Sequence, residues 1–241
     1  MDALPIMMRS PLVRVSAIAL FVVLTGCNPS PISVQEVYTP LCNGQTLDGW
    51  ESTPKGSIHW SVNDGILAFD GTKDDLWTVN DYEDFELSIR WRWAGDHQGK
   101  RQQPLINSDG SYQLDSKGDR VTVEIEERDS GIFLRGNSKS QVNIWEWPAG
   151  SGEVYGYRTD SSMPDETRSR ATPLRRADKP VYEWNRFIIR LIGENLDVWL
   201  NDVHVIQDCP LPGIPDSGPI GLQAHGSAIE FKDIEILMLP K

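Results

Sequence analysis

Phe85-Glu86-Leu87-Ser88-Ile89-Arg90-Trp91-Arg92-Trp93 alternates without a break: Phe85, Leu87, Ile89, Trp91 and Trp93 fall on one side, Glu86, Ser88, Arg90 and Arg92 on the other. Successive side chains of an extended chain point to opposite faces, so this period of two marks a strand with one face in a core and the other toward solvent. The pattern extends in both directions along the chain. Upstream, Asn63-Asp64-Gly65 separates two apolar-alternating runs within Ile58–Phe69, which is a hairpin signal. Downstream, Arg186–Ile192 and Leu196–Leu200 flank Gly193-Glu194-Asn195, and Asn201-Asp202 turns into Val203-His204-Val205, giving a meander. The last run, Ile229–Leu239, begins with the same alternation. Nowhere does a 3.6-residue period persist for three turns, so helices are expected to be short or absent.

Composition agrees with an all-β chain. Nine tryptophans, twenty glycines and sixteen prolines are more than a helical bundle uses, and they suit short strands joined by tight turns. Lys and Arg number 23 against 35 Asp and Glu, a formal charge of −12, so the surface repels phosphate backbones and no nucleic-acid partner is expected. At 39% hydrophobic and 24% charged, the chain has enough apolar material for a full core and is neither disordered nor a multispan membrane protein.

The N-terminus reads as a targeting segment. Arg9 and Arg14 precede the apolar run Val15–Leu24, which is too short for a transmembrane helix. Leu24-Thr25-Gly26-Cys27 resembles the lipobox of bacterial lipoproteins, which implies residues 1–26 as signal peptide and an acylated Cys27 as membrane anchor. Asn28 after the cysteine resembles enterobacterial sorting to the outer membrane, so the expected location is the cell envelope, facing the periplasm or the exterior. Residues 27–39, rich in Pro and Ser, read as a tether, leaving one domain over 40–241. An exported compartment permits a disulfide between Cys42 and Cys209; two free thiols is the alternative that spacing leaves open.

Three segments carry a family resemblance. Leu41-Cys42-Asn43-Gly44-Gln45-Thr46-Leu47-Asp48-Gly49-Trp50, Asp129-Ser130-Gly131-Ile132-Phe133-Leu134-Arg135-Gly136, and Gly218-Pro219-Ile220-Gly221-Leu222-Gln223-Ala224-His225-Gly226 followed by Ile229–Ile234 resemble the opening, central and closing motifs of the 3-keto-disaccharide hydrolase family. That resemblance implies a concanavalin-A-like β-sandwich, or jelly roll, of two curved antiparallel sheets, with sugar held on the concave face of one. Two positions depart from the family pattern. Gln141 stands where a carboxylate is expected, and Cys42 where an aromatic is usual. The fold therefore transfers, whereas the family's catalytic base does not.

Strand parity gives an independent route to the site. If Ile132, Leu134, Val142, Ile144, Leu222 and Ala224 face inward, then Phe133, Arg135, Gln141, Asn143, Trp145, Gln223 and His225 face outward together. Amides bind hydroxyls in bidentate fashion and an indole stacks on a pyranose, so Gln141, Asn143, Trp145 and Gln223 are candidate substrate contacts. Arg158, in a segment that resembles one subgroup of the family, joins them. His59, His97 and His204 read as ordinary surface or packing histidines. Glu124, Glu126 and Glu127 form an acidic patch that leaves a divalent cation open, although no spacing matches a metal motif and no cofactor is otherwise indicated.

The chemistry that the resemblance implies is elimination. Oxidation of a sugar at C3 makes the C2 hydrogen acidic; a base removes it, the C1–O bond is expelled, and water adds to the enone. In that scheme His225 is the expected base, Arg135 the stabiliser of the enolate oxygen, and Glu146 or Tyr157 the proton donor to the leaving group. A non-catalytic carbohydrate-binding or lectin-like module is the alternative, since jelly rolls host both.

Overall fold

The computed structural model describes residues 37–53, 55, 56 and 58–240. Cys27, the apolar run and the tether up to residue 36 lie outside the described residues. The described chain already belongs to the domain at Tyr38, whose hydroxyl donates to Glu86, and at β1 (Thr39–Pro40), so the expected boundary at residue 40 moves forward. Backbone pairing moves it: Thr39 is the register partner of Ile236.

After β1 the chain forms β2 (Trp50–Thr53), β3 (Trp60–Asn63), β4 (Ile66–Phe69), β5 (Asp75–Thr78) and β6 (Phe85–Trp93). The hairpin β7 (Lys100–Pro104) and β8 (Thr122–Glu126) follows, then β9 (Asp129–Leu134) and β10 (Asn137–Trp145). Two short helices, α1 (Tyr155–Arg158) and α2 (Asp165–Arg170), precede β11 (Asn185–Ile192), β12 (Asn195–Leu200), β13 (Val203–Pro210), β14 (Gly221–Leu222) and β15 (Ile229–Met238).

These strands make an all-β sandwich of jelly-roll type. One sheet runs β13-β12-β11-β6-β15-β4-β3, with β1 also on β15; the other runs β10-β9-β14-β5-β2; all of their pairs are antiparallel. The core lies between them. Leu87, Ile89, Trp91, Phe187, Ile189 and Phe231 from the larger sheet meet Leu76, Ile132, Leu134, Val142, Ile144 and Leu222 from the smaller, all buried. The alternation of β6 therefore places its apolar side as the sequence predicts. Its polar side differs near the start of the strand: Glu86 is buried too, because Tyr38 and the cross-strand Arg190 close over it. The Asn63-Asp64-Gly65 signal is a true hairpin turn, with Asp64 and Gly65 both at positive φ (49° and 78°), which matches the twist of the flanking strands.

The expected Cys42–Cys209 disulfide is not formed, and both cysteines are free. Cys209 lies on β13, whereas Leu41, next to Cys42, donates its N–H to Ile234 in β15. β12, β11 and β6 intervene, so four strand spacings of about 4.8 Å separate the two sites, far beyond the reach of a bridge. Burial pushes the Cys209 thiol up to about 12, which makes it an inert core residue.

Candidate functional site

The outer face of the smaller sheet collects polar and aromatic side chains by register. Gln141 pairs with Phe133, Asn143 with Gly131 and Trp145 with Asp129; Gly221 of β14 sits between Phe133 and Trp77. Two glycines leave recesses on this face. A Cβ on Gly131 would collide with the Gln141 side chain, which lies across it and donates from Nε2 to Gln223 Oε1 at 2.5 Å. A Cβ on Gly221 would meet the indole of Trp77 at 2.6 Å, and that indole continues onto Phe133, centroids 5.1 Å apart and planes within 9°. Because the Gln223 carbonyl is taken by Gln141, its NH2 group is the end left to face a ligand.

His225 stands two residues beyond Gln223, its side chain 56% exposed, with Nδ1 3.0 Å from Oδ2 of the nearly buried Asp129. That hydrogen bond fixes the tautomer: Nδ1–H donates to the carboxylate and Nε2 is the basic nitrogen. The same bond, outweighing partial burial, raises the His225 pKa above its ordinary value, with further contributions from the charges of Asp129, Glu127 and Asp75. The loop carrying His225 is pinned at four points. Ala224 N–H donates to Asp75 Oδ1, Ser130 Oγ to Gln223 O, Gln98 Nε2 to His225 O, and the Asp129 N–H to Ser227 Oγ. Burial pushes the Asp75 carboxyl above the usual carboxylate range. A polarised imidazole, an oriented amide, a carboxyl inclined to hold its proton and a half-buried Trp77 thus share one face.

Several sequence-predicted residues fall elsewhere. Arg135 is buried and points away: it follows the end of β9 in a turn with Gly136, both at positive φ, so strand parity no longer governs it. Six residues of extended chain, about 20 Å, separate it from Asp129 and hence from His225. Its guanidinium donates to the carbonyls of Glu83, Gly193 and Pro215 and to Asp84, which is a structural role. Tyr157 is buried in the core with its hydroxyl toward Pro212 O and its pKa pushed up to about 12 by burial, so it is not a proton donor to this face. Both Glu146 oxygens are engaged, one by the Trp93 indole and one by Arg176, which removes it as leaving-group acid.

Asn143 is also spent on structure, donating to Glu153 O along the edge of β10. Trp145 is buried under Trp147, rings 3.8 Å apart and within 5° of parallel, so it offers no face to a sugar. Arg158 is buried and ion-paired with Glu153, whose carboxyl burial pushes up to about 7 against the pull of that charge. Gln141, Gln223 and His225 are brought together; Arg135, Tyr157, Glu146, Asn143, Trp145 and Arg158 are not. Sequence reasoning missed Asp129, Asp75 and Trp77. Asp129 shares parity with Phe133, and Leu76 facing inward turns Asp75 and Trp77 outward, so the signal was present in two strands.

The acidic patch is ion-paired: Glu124 with Lys100, Glu126 with Arg128, and Glu127 with Arg101. Among the described residues no three His, Cys, Asp or Glu side chains converge as a ligand set.

The chain matches the model of the 3-keto-alpha-glucoside-1,2-lyase-like domain over residues 37–237. Among solved structures, three proteins of Parabacteroides distasonis ATCC 8503, each described provisionally as a glycosyl hydrolase, share the fold. One is 22% identical with a TM-score of 0.58, covering 84% of both chains. A second is 21% identical with a TM-score of 0.54, covering 84% of this chain and all of its own. The third is 18% identical with a TM-score of 0.52, covering 84% of this chain and 94% of its own. Among curated proteins none matches.

Proposed function

The chain belongs to the family of 3-keto-alpha-glucoside-1,2-lyase-like domains and is a carbohydrate-active protein, and from that premise we propose that it cleaves 3-keto glycosides by elimination and hydration on the outer face of the smaller sheet. The observation that carries this reading is the His225–Asp129 pair beside Gln223, an amide whose carbonyl is taken by Gln141 and whose NH2 is left to donate. His225 Nε2 removes the proton at C2, and the electron pair moves into the C3 carbonyl, whose oxygen accepts from the Gln223 NH2. As the enolate collapses, a C1=C2 double bond forms and the C1–O bond breaks. The departing oxygen leaves with a proton, and Asp75, whose carboxyl pKa burial raises, is the group on this face assigned to give it. Water then adds across C1=C2, hydroxyl to C1 and hydrogen to C2, releasing the 3-keto sugar. Trp77, stacked on Phe133, supplies the apolar surface for the pyranose.

Turnover in D2O tests the scheme. A 3-keto disaccharide is expected to yield 3-keto monosaccharide carrying deuterium at C2, and the unoxidised disaccharide to remain intact. Cleavage of the unoxidised sugar without deuterium would replace elimination by direct hydrolysis, and binding of both sugars without turnover would make the domain a carbohydrate-binding module.

We also propose that Cys27 is acylated and holds the domain at the bacterial envelope, on the outer membrane, supported by the order of basic residues, apolar run and lipobox-like tetrapeptide. Cells fed a fatty-acid analogue should label the wild-type protein and not Cys27→Ala; equal, absent labelling of both would refute the anchor.

A further inference from the structure

Beside the site lies a second pocket, built from elements that the elimination scheme does not use. The β7–β8 hairpin and the segment around α1 enclose a cavity of about 180 Å³ lined by Arg101, Arg120, Arg158, Tyr112, Trp147 and Tyr155. Each guanidinium lies against a ring. Arg120 is 3.8 Å from the Tyr112 centroid, Arg101 is 5.5 Å from Trp147, and Arg158 is 5.3 Å from both Tyr112 and Tyr155. Glu127 and Glu153 each neutralise one of these arginines from outside the lining. Arg120 has no carboxylate at ion-pair distance among the described residues, and no acidic side chain lines the cavity. In a chain of net charge −12, this small cavity gathers three arginines, and the charge on Arg120 is the one that no carboxylate offsets among the described residues.

The pocket is also close to the chemistry. Trp147 stacks directly on Trp145, and Trp145 is the register partner of Asp129, so one strand spacing and one stacked ring separate the cavity from the His225–Asp129 pair. A guanidinium fork matches the paired oxygens of a carboxylate or sulfate, and aromatic rings pack on the C–H face of a pyranose. We propose that this pocket is a subsite for an anionic pyranose, its charge carried as carboxylate or sulfate ester. Resting on the glycoside-cleaving reading, this makes the substrate an acidic oligosaccharide or glycoside.

Binding of unoxidised probes by the full chain separates this inference from turnover. Calorimetry would compare a disaccharide ending in glucuronate with its glucose counterpart and its 6-sulfated counterpart. At least one anionic probe is expected to bind about tenfold tighter than the neutral one, with the preference shrinking at high salt. Whichever anion is favoured identifies the charge carrier. Arg120→Gln, an exposed substitution, should remove the preference without moving the melting midpoint, while His225→Ala should keep it. Equal affinity for all three probes, no binding of any, or a preference that survives Arg120→Gln would overturn the subsite. A uronate or sulfate preference in a protein that leaves 3-keto glycosides uncleaved would uphold the pocket and defeat the elimination scheme.

Discussion

His225→Ala is expected to lower turnover of a 3-keto glycoside by roughly 10²–10⁴-fold, the usual cost of deleting a general base, with the cooperative melt unchanged because the side chain is largely exposed. The pH profile gives the sharper reading. Asp129 raises the His225 pKa, and the base must be neutral to accept a proton, so wild-type turnover rises with pH through a value above the ordinary histidine range near 6.5. Asp129→Asn removes the charge that stabilises imidazolium. The ascending limb should then move toward acid even as the plateau falls, since the tautomer is no longer fixed. A merely structural Asp129 would lower activity at every pH without moving the limb. A His225→Ala enzyme with wild-type turnover would place the base elsewhere on this face.

The two-sheet architecture was legible because period-two alternation is imposed by backbone geometry. Ile132, Leu134, Val142, Ile144 and Leu222 face the core as their parity requires. The same rule placed Gln141, Gln223 and His225 on one surface, and there it succeeded. It failed at Arg135 because β9 ends one residue earlier; in a two-residue turn at positive φ the side chain no longer alternates, and nothing in the local pattern marks that last step. It failed differently at Asn143 and Trp145. Both do face outward, yet residues 147–154 fold back on the β10 edge and bury them, a tertiary event invisible to strand periodicity. Burial of Glu153 and Arg158 as a pair was equally hidden, since two charged residues five apart give no sign that a helix only four residues long will carry one of them inward.

Arg135 therefore enters a different prediction, one of stability. Its guanidinium is 2% exposed and joins three separate loops, through Glu83 O, Gly193 O and Pro215 O, while Asp84 accepts both from Arg135 Nη2 at 2.9 Å and from Gly193 N–H at 2.8 Å. Removing the cation leaves a largely buried carboxylate and three carbonyls without their donor. Breaking one side of a buried pair costs about 3–5 kcal/mol, a large share of the 5–15 kcal/mol that holds a typical domain folded. Arg135→Met should accordingly lower the denaturation midpoint steeply. Arg135→Lys should recover only part of the loss, because an ammonium on a flexible stem cannot satisfy four acceptors that a planar fork reaches at once. Turnover per folded molecule should stay near the wild-type value in both variants, since the side chain lies some 20 Å along β9 from His225. An Arg135→Lys protein with an unchanged midpoint and abolished turnover would contradict this, and would require the sugar to reach the far end of the strand.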